Sequence, residues 1–128
     1  MTIIAPPIPQ IGVTDVLRSH KFYCEVLGFT SNWEHFQQEA MVVAEVQLGP
    51  AKLQIAAHDG VRDNDEQRRA RRATVFFFQT DDVAAFHAEI SARGAVPTEL
   101  KDVAYWMRMR MFTMQDPDDH TLWFGQQL

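Results

Sequence analysis

Asp15-Val16 and Asp82-Val83 stand 67 positions apart (82 minus 15), and the residues around them repeat. Each pair follows an apolar stretch and opens a helix-like spacing that a glycine ends. At that offset Val16 falls on Val83, His20 on His87 and Tyr23 on Ile90, while Gly28 falls one residue from Gly94. Self-similarity at a fixed period marks copies of one supersecondary unit. One copy alone cannot cover both faces of its sheet, so two must share a core. The expected class is α+β: two tandem βαβββ modules forming a partly open barrel with a cleft, helices outside. The competing reading is an unrelated α+β domain with chance similarity.

The elements follow from periodicity and turn residues. Residues 8–14 (IPQIGVT) read as a strand, with prolines suited to an edge or a strand end. Asp15 caps a helix to about Leu27, with Val16, His20, Tyr23 and Leu27 on one face, and Gly28 ends it. Strands are expected over Phe29–Phe36, Met41–Leu48 and Ala51–Ala57, the last two joined by Gly49-Pro50. In Ala51–Ala57, Leu53 and Ile55 share one face and Lys52 and Gln54 the other. The second module repeats the order: a strand over Ala73–Thr80, a helix from Asp82 to about Arg93 ended by Gly94, then strands over Val96–Leu100, Met107–Gln115 and Thr121–Gly125. This divides the chain into a first module (1–57), a charged linker (58–72) and a second module (73–128), together one compact domain.

Residues 58–72 (HDGVRDNDEQRRARR) hold five arginines among Asp59, Asp63, Asp65 and Glu66. A basic nucleic-acid patch is one reading; near-cancelling charge favours a solvated linker or a short charged helix. The whole chain has a net charge of -5, which repels nucleic acid and anionic membranes and weakly attracts cations. One cysteine, Cys24, allows no internal disulfide and fits a reducing compartment. No apolar run approaches the roughly 20 residues that span a bilayer. The expectation is a soluble cytoplasmic protein with no nucleic-acid or membrane partner.

Two stretches carry a family resemblance: VTDVLRSHKFYCEVLGF (13–29) and MRMFTMQDPDDHTLWFGQ (109–126). In order and spacing they resemble the vicinal oxygen chelate superfamily of glyoxalases, extradiol dioxygenases and bleomycin resistance proteins. Enzymes of that family hold a divalent metal in the cleft. The resemblance puts its ligand positions at Ile8, Gln54, Val75 and Trp123 here. Ile8, Val75 and Trp123 offer no carboxylate or imidazole, and Gln54 alone cannot hold a hard cation. The expectation is therefore no metal, no cofactor and no catalytic residue. His35 and His58, near the expected cleft, are the candidates for a displaced site; His20 and His87 ride on helices, and His120 follows a turn.

A cleft without metal holds its ligand by shape, stacking and a few polar contacts. The candidates are Trp33, His35, Phe36, Gln54, Tyr105, Trp106, Arg108, Arg110 and Trp123. In residues 107–111, alternation sets Met107, Met109 and Met111 opposite Arg108 and Arg110, and either set can face the cleft. Inward arginines favour a planar anionic or aromatic ligand. Inward methionines favour an apolar one. Cys24, within the first helix, is expected to be buried and inert. The leading reading is a metal-free binding protein of the bleomycin resistance type. It would sequester an aromatic or cationic ligand, such as an antibiotic, as a homodimer. One rival is a glyoxalase-like or dioxygenase-like enzyme with a displaced metal. Another is an interaction module whose cleft is plugged by Trp33, Trp106 and Trp123.

Overall fold

The computed structural model describes residues 1–128. In chain order the elements are β1 (Gln10–Val13), α1 (Val16–Lys21), a π-helical turn (Phe22–Val26), β2 (Thr30–Gln37), β3 (Ala40–Leu48) and β4 (Ala51–Ala57). Then come α2 (Asp65–Arg72), β5 (Val75–Gln79), α3 (Val83–Ala92), β6 (Lys101–Ala104), β7 (Arg108–Gln115) and β8 (Thr121–Gln127). They build two four-stranded sheets, ordered β1-β4-β3-β2 and β5-β8-β7-β6. In each, the first strand pairs parallel with the last and the others pair antiparallel. The repeat holds at the level of register: Gln10 pairs with Gln54 as Phe77 pairs with Trp123. No strand pair joins the sheets, so the barrel is not closed.

The helix signals act as capping chemistry requires. Asp15 Oδ1 accepts from Arg18 N at 3.0 Å, and Asp82 Oδ1 from Ala85 N at 3.0 Å, each satisfying a donor left free by the first turn. Gly28 (φ +84°) and Gly94 (φ +98°) take the left-handed conformation that ends a helix without a Cβ penalty.

Three expectations need correcting. The first helix is not α-helical to Leu27: it widens after Lys21, and Leu27 N donates to Phe22 O in the π pattern. The extra residue in that turn keeps Tyr23 and Leu27 both fully buried, while His20 swings to the edge and bonds Ser31 Oγ at 2.9 Å. The strand expected at Val96–Leu100 lies instead at Lys101–Ala104. Pro97 has no N–H, and before Lys101 the chain touches β7 only through Thr98, whose N donates to Thr113 O at 2.9 Å. The first strand is also shorter than expected, since its prolines flank the ladder and only Pro9 O joins it, accepting from Gln54 N.

Alternation along the strands gives each sheet one face against its helix. Val46, Leu53 and Ile55 fill it in the first sheet, and Phe112, Met114, Leu122 and Phe124 in the second. These join Val16, Tyr23, Val83 and Ile90 in one continuous core spanning both modules. Phe29 meets Phe78 edge-on across the junction, with ring centres 5.9 Å apart. Fully burying each such side chain is worth about 1.5–3 kcal/mol.

The turn between β7 and β8 clasps the modules. Asp116, buried, accepts from Tyr23 Oη (2.7 Å), from the backbone N–H of Asp118 and His120, and lies 2.9 Å from His120 Nδ1. Asp118, fully buried, accepts from Thr14 N (3.2 Å) and Thr14 Oγ1 (2.7 Å), with Arg18 Nη2 at 3.4 Å. α2 seals the turn from outside. Arg68 donates to Pro117 O, Arg71 to Asp118 O, and Arg72 to Asp119 Oδ2 at 2.7 Å. Three of the five arginines of the charged segment are thus spent on this turn. Burial, then the charge of Asp116, hold the Tyr23 hydroxyl well above its ordinary pKa, so it stays a donor.

Removing that donor leaves a buried carboxylate short of a partner. Tyr23→Phe is expected to lower stability by about 1–3 kcal/mol, read as a lower urea midpoint with an unchanged m-value.

Candidate functional site

No helix or strand of this chain covers the face of each sheet turned away from its helix, only loop residues such as Tyr105 and Val61, and the two faces differ in chemistry. On the second sheet, pairing of Met111 with Gly125 and Thr113 with Trp123 puts Met109, Met111 and Trp123 on the free face. Phe77, opposite Trp123 on β5, shares it. The loop before β7 lays Tyr105 over this surface. Its ring lies 6.4 Å from Trp123 at 22° and 5.9 Å from Trp106 at 20°. Phe77 meets Trp106 and Trp123 edge-on at 6.3 and 6.4 Å. The result is a rack of near-parallel rings, of which Tyr105 (58% exposed) and Trp106 (66%) stand open to solvent. Gly125 makes room for it: a Cβ there would come within 2.9 Å of the Phe77 ring.

The first sheet's free face is polar. Asn32 Nδ2 donates to Glu45 Oε2 (2.9 Å) and Gln54 Nε2 to Glu45 Oε1 (3.1 Å). Gln10 Nε2 donates to Gln54 Oε1 (2.9 Å), and His58 Nε2 lies 2.9 Å from Gln10 Oε1. The ladder crosses four neighbouring chain segments and centres on Glu45, a covered carboxylate (6% exposed). The Asn32 and Gln54 amides hold its pKa below the ordinary value. Beside the ladder, His35, Val43, Ala56 and His58 border a shallow hollow of about 430 Å³. A smaller one of about 200 Å³ lies on the other sheet between Lys101, Val103, Tyr105 and Trp123. Neither hollow draws a residue from the opposite sheet.

The structure thus separates the residues singled out from the sequence. Tyr105, Trp106 and Trp123 come together on the second sheet. Trp33, His35 and Gln54 share the free face of the first, Trp33 opposite Glu45 and His35 opposite Val43. Phe36, next along β2, turns to the other face at the strand's exposed end. The methionine–arginine alternation resolves: Met109 and Met111 face the ring rack, and Arg110 turns to the helix side, where it grips Asp102 through two bonds of 2.7 and 3.2 Å. Arg108, in step with Arg110, turns the same way, so neither arginine joins the rack. Cys24 is half-buried, with its thiol pKa pushed up chiefly by burial.

The residues at the metal positions do not form a donor set. Gln54 spends both amide atoms inside the ladder, Val75 is aliphatic, and Trp123 is part of the rack. No group of three or more His, Cys, Asp or Glu side chains gathers anywhere that could hold an ion. His35 and His58 approach the same hollow without a carboxylate completing a set.

Sequence comparison places the chain. The profile of the glyoxalase/bleomycin resistance protein/dioxygenase superfamily matches residues 6–124. The chain belongs to that superfamily. No curated protein sequence matches it. Among solved structures, a glyoxalase-related enzyme from Clostridium phytofermentans superposes with a TM-score of 0.75 at 13% identity, covering 99% of this chain and 98% of that one. The bleomycin resistance determinant encoded on transposon Tn5 gives 0.74 at 20% identity, over 96% and 98%. TnmS3, an antibiotic binding protein from Streptomyces sp. CB03234, gives 0.68 at 20%, over 99% and 100%. At these identities the likeness is one of fold. No helix of the superfamily member described here is long and apolar enough to cross a membrane.

Glu45 was hidden in the run MVVAEVQL, yet it was findable: the two-residue turn Gly49-Pro50 sets position 45 opposite 54. Its folded pKa lies below the ordinary 4.5, so its contribution to stability is present above that pH and is lost as pH falls through the lowered value. Glu45→Gln is therefore expected to flatten the acid limb of the stability–pH curve below pH 4.5, seen by urea titration across that range.

Proposed function

We propose that this protein binds a planar aromatic small molecule, bearing positive charge, on the rack formed by Tyr105, Trp106, Trp123 and Phe77, and sequesters it without turnover. The observation that carries this is the exposure of near-parallel rings on a sheet face that the chain leaves uncovered. Rings exposed this way lose little on ordering and gain dispersion and stacking with a flat partner. Glu45, an anionic acceptor on the other free face, favours a cation. Ile8, Gln54, Val75 and Trp123, at the positions where the family's enzymes hold metal, support binding in place of Lewis-acid chemistry. The descriptions of the Tn5 and Streptomyces proteins, bleomycin resistance determinant and antibiotic binding protein, agree with this reading. We extend it to an antibiotic of that kind held in the cytoplasm, where a single cysteine stays reduced.

We propose that two copies of the chain complete the cleft. Each hollow lies on one sheet, which supports a pairing in which a second protomer brings the polar ladder of its first sheet over the ring rack. The protein acts as a homodimer, and sedimentation at micromolar concentration should give twice the mass of the chain.

Titrating bleomycin-type and planar aromatic cationic drugs while following tryptophan fluorescence tests the binding. Quenching is expected with the unaltered protein, and Trp123→Ala should weaken affinity about tenfold. No quenching and no thermal stabilisation by any of these drugs would remove the proposal. Stoichiometric Zn, Ni, Mn or Fe surviving dialysis would instead favour a metal-dependent enzyme of this superfamily.

A further inference from the structure

The two modules differ in one turn, and a cavity follows from the difference. Between β7 and β8 five residues separate the last paired positions, Gln115 and Thr121; between β3 and β4 only Gly49 and Pro50 separate Leu48 and Ala51. The longer turn fills the junction with β1 and α1 by way of Asp116 and Asp118. At the corresponding junction, where the short turn faces the start of α3, a cavity of about 610 Å³ remains. That volume lies in the range of ordinary small-molecule sites.

Its walls have a definite chemistry. Pro50 and Ala51 form one side, and Phe78, Phe86 and Phe124 the floor. Phe77 and Phe78 point to opposite faces of β5, so both can border the cavity only at that strand's free edge. Thr80 N donates to Gly125 O, and Thr74 O accepts from Thr121 N. Even-numbered residues of β5 therefore turn their backbone groups toward β8. By alternation, the carbonyls of Phe77 and Gln79 face the free edge as available acceptors. Asp81 at the rim is the one charged lining residue and is exposed. The N–H groups of Phe77 and Gln79 face the same edge, so the backbone alone serves either charge; the Asp81 carboxylate tips the site toward a cation, and at the start of α3 Val83 N is already taken by Gln126 Oε1 at 3.0 Å.

We propose that this junction between the β3–β4 turn and β5 is a second ligand site, sharing only Phe77 with the ring rack, that takes a small aromatic amine. The ring enters among Phe78, Phe86 and Phe124, and the ammonium group meets Asp81 and the open carbonyls of β5. Tyr105, Trp106 and Trp123 of the ring rack do not line it.

Phenethylamine serves as the cationic probe and phenylacetate as its anionic counterpart, each titrated into the full chain with amide shifts followed by NMR. Saturable shifts are expected at Gly49, Ala51, Thr80 and Asp81 with phenethylamine, and none with phenylacetate. Asp81→Asn, a surface change, should weaken the amine about three- to fivefold. Ala51→Phe, which fills the cavity, should abolish the shifts in a chain whose remaining spectrum shows it folded. Trp123→Ala, which strips the ring rack, should leave them in place. Absence of saturable shifts, equal binding of phenylacetate, or indifference to Asp81→Asn would overturn the proposal.

Discussion

The carboxylates of Asp116 and Asp118 hold the molecule together. Both are buried: Asp116 accepts from Tyr23 of the other module and from its own turn, and Asp118 from Thr14 of the other module, with Arg18 and Arg71 beside it. A buried charge left without partners costs several kcal/mol, whereas one fully hydrogen-bonded fixes geometry. Tyr23 and Thr14 must therefore stand where the turn requires, and this sets how α1 and β1 meet the second sheet. The π-helical turn after Lys21 is part of the same arrangement, since it carries the Tyr23 ring into the core with its hydroxyl aimed at Asp116.

With the modules docked through their helices and this clasp, the outer faces of both sheets are left open. They are unlike. One carries an amide–carboxylate ladder with a single anionic centre at Glu45; the other carries rings and thioethers. The proposed ligand, a flat cation, matches both kinds of surface. At the positions where the family resemblance puts metal ligands, this chain carries Ile8, Gln54, Val75 and Trp123, none of which offers a carboxylate or an imidazole. Function then follows from which groups line the faces, and the shared fold constrains it little.

Duplication does not make the halves equivalent. Three extra residues between β7 and β8 supply the clasp, and the two-residue turn between β3 and β4 leaves a cavity in the matching place. The charged segment takes its role from the same asymmetry. Of its arginines, which read alone suggest a polyanion surface, Arg68, Arg71 and Arg72 reach the carbonyls and a carboxylate of the longer turn.

Residue order alone gives the repeat, the caps at Asp15 and Asp82, the glycine stops and the core-facing Leu53 and Ile55. All of these are local signals: a capping side chain, a φ only glycine favours, a period of two. Tertiary structure alone decided which face of β7 meets the cleft, because alternation is symmetric until a helix covers one side. It alone placed Tyr105 over Trp123, since a loop carries no period. It alone moved β6 from Val96–Leu100 to Lys101–Ala104, because strand position there depends on a partner, β7, and on where Pro97 lets the ladder begin. And it alone made Glu45 the centre of the polar face. The turn at Gly49-Pro50 implied its pairing with Gln54, but only the folded sheet brings Asn32, Gln10 and His58 to the same ladder.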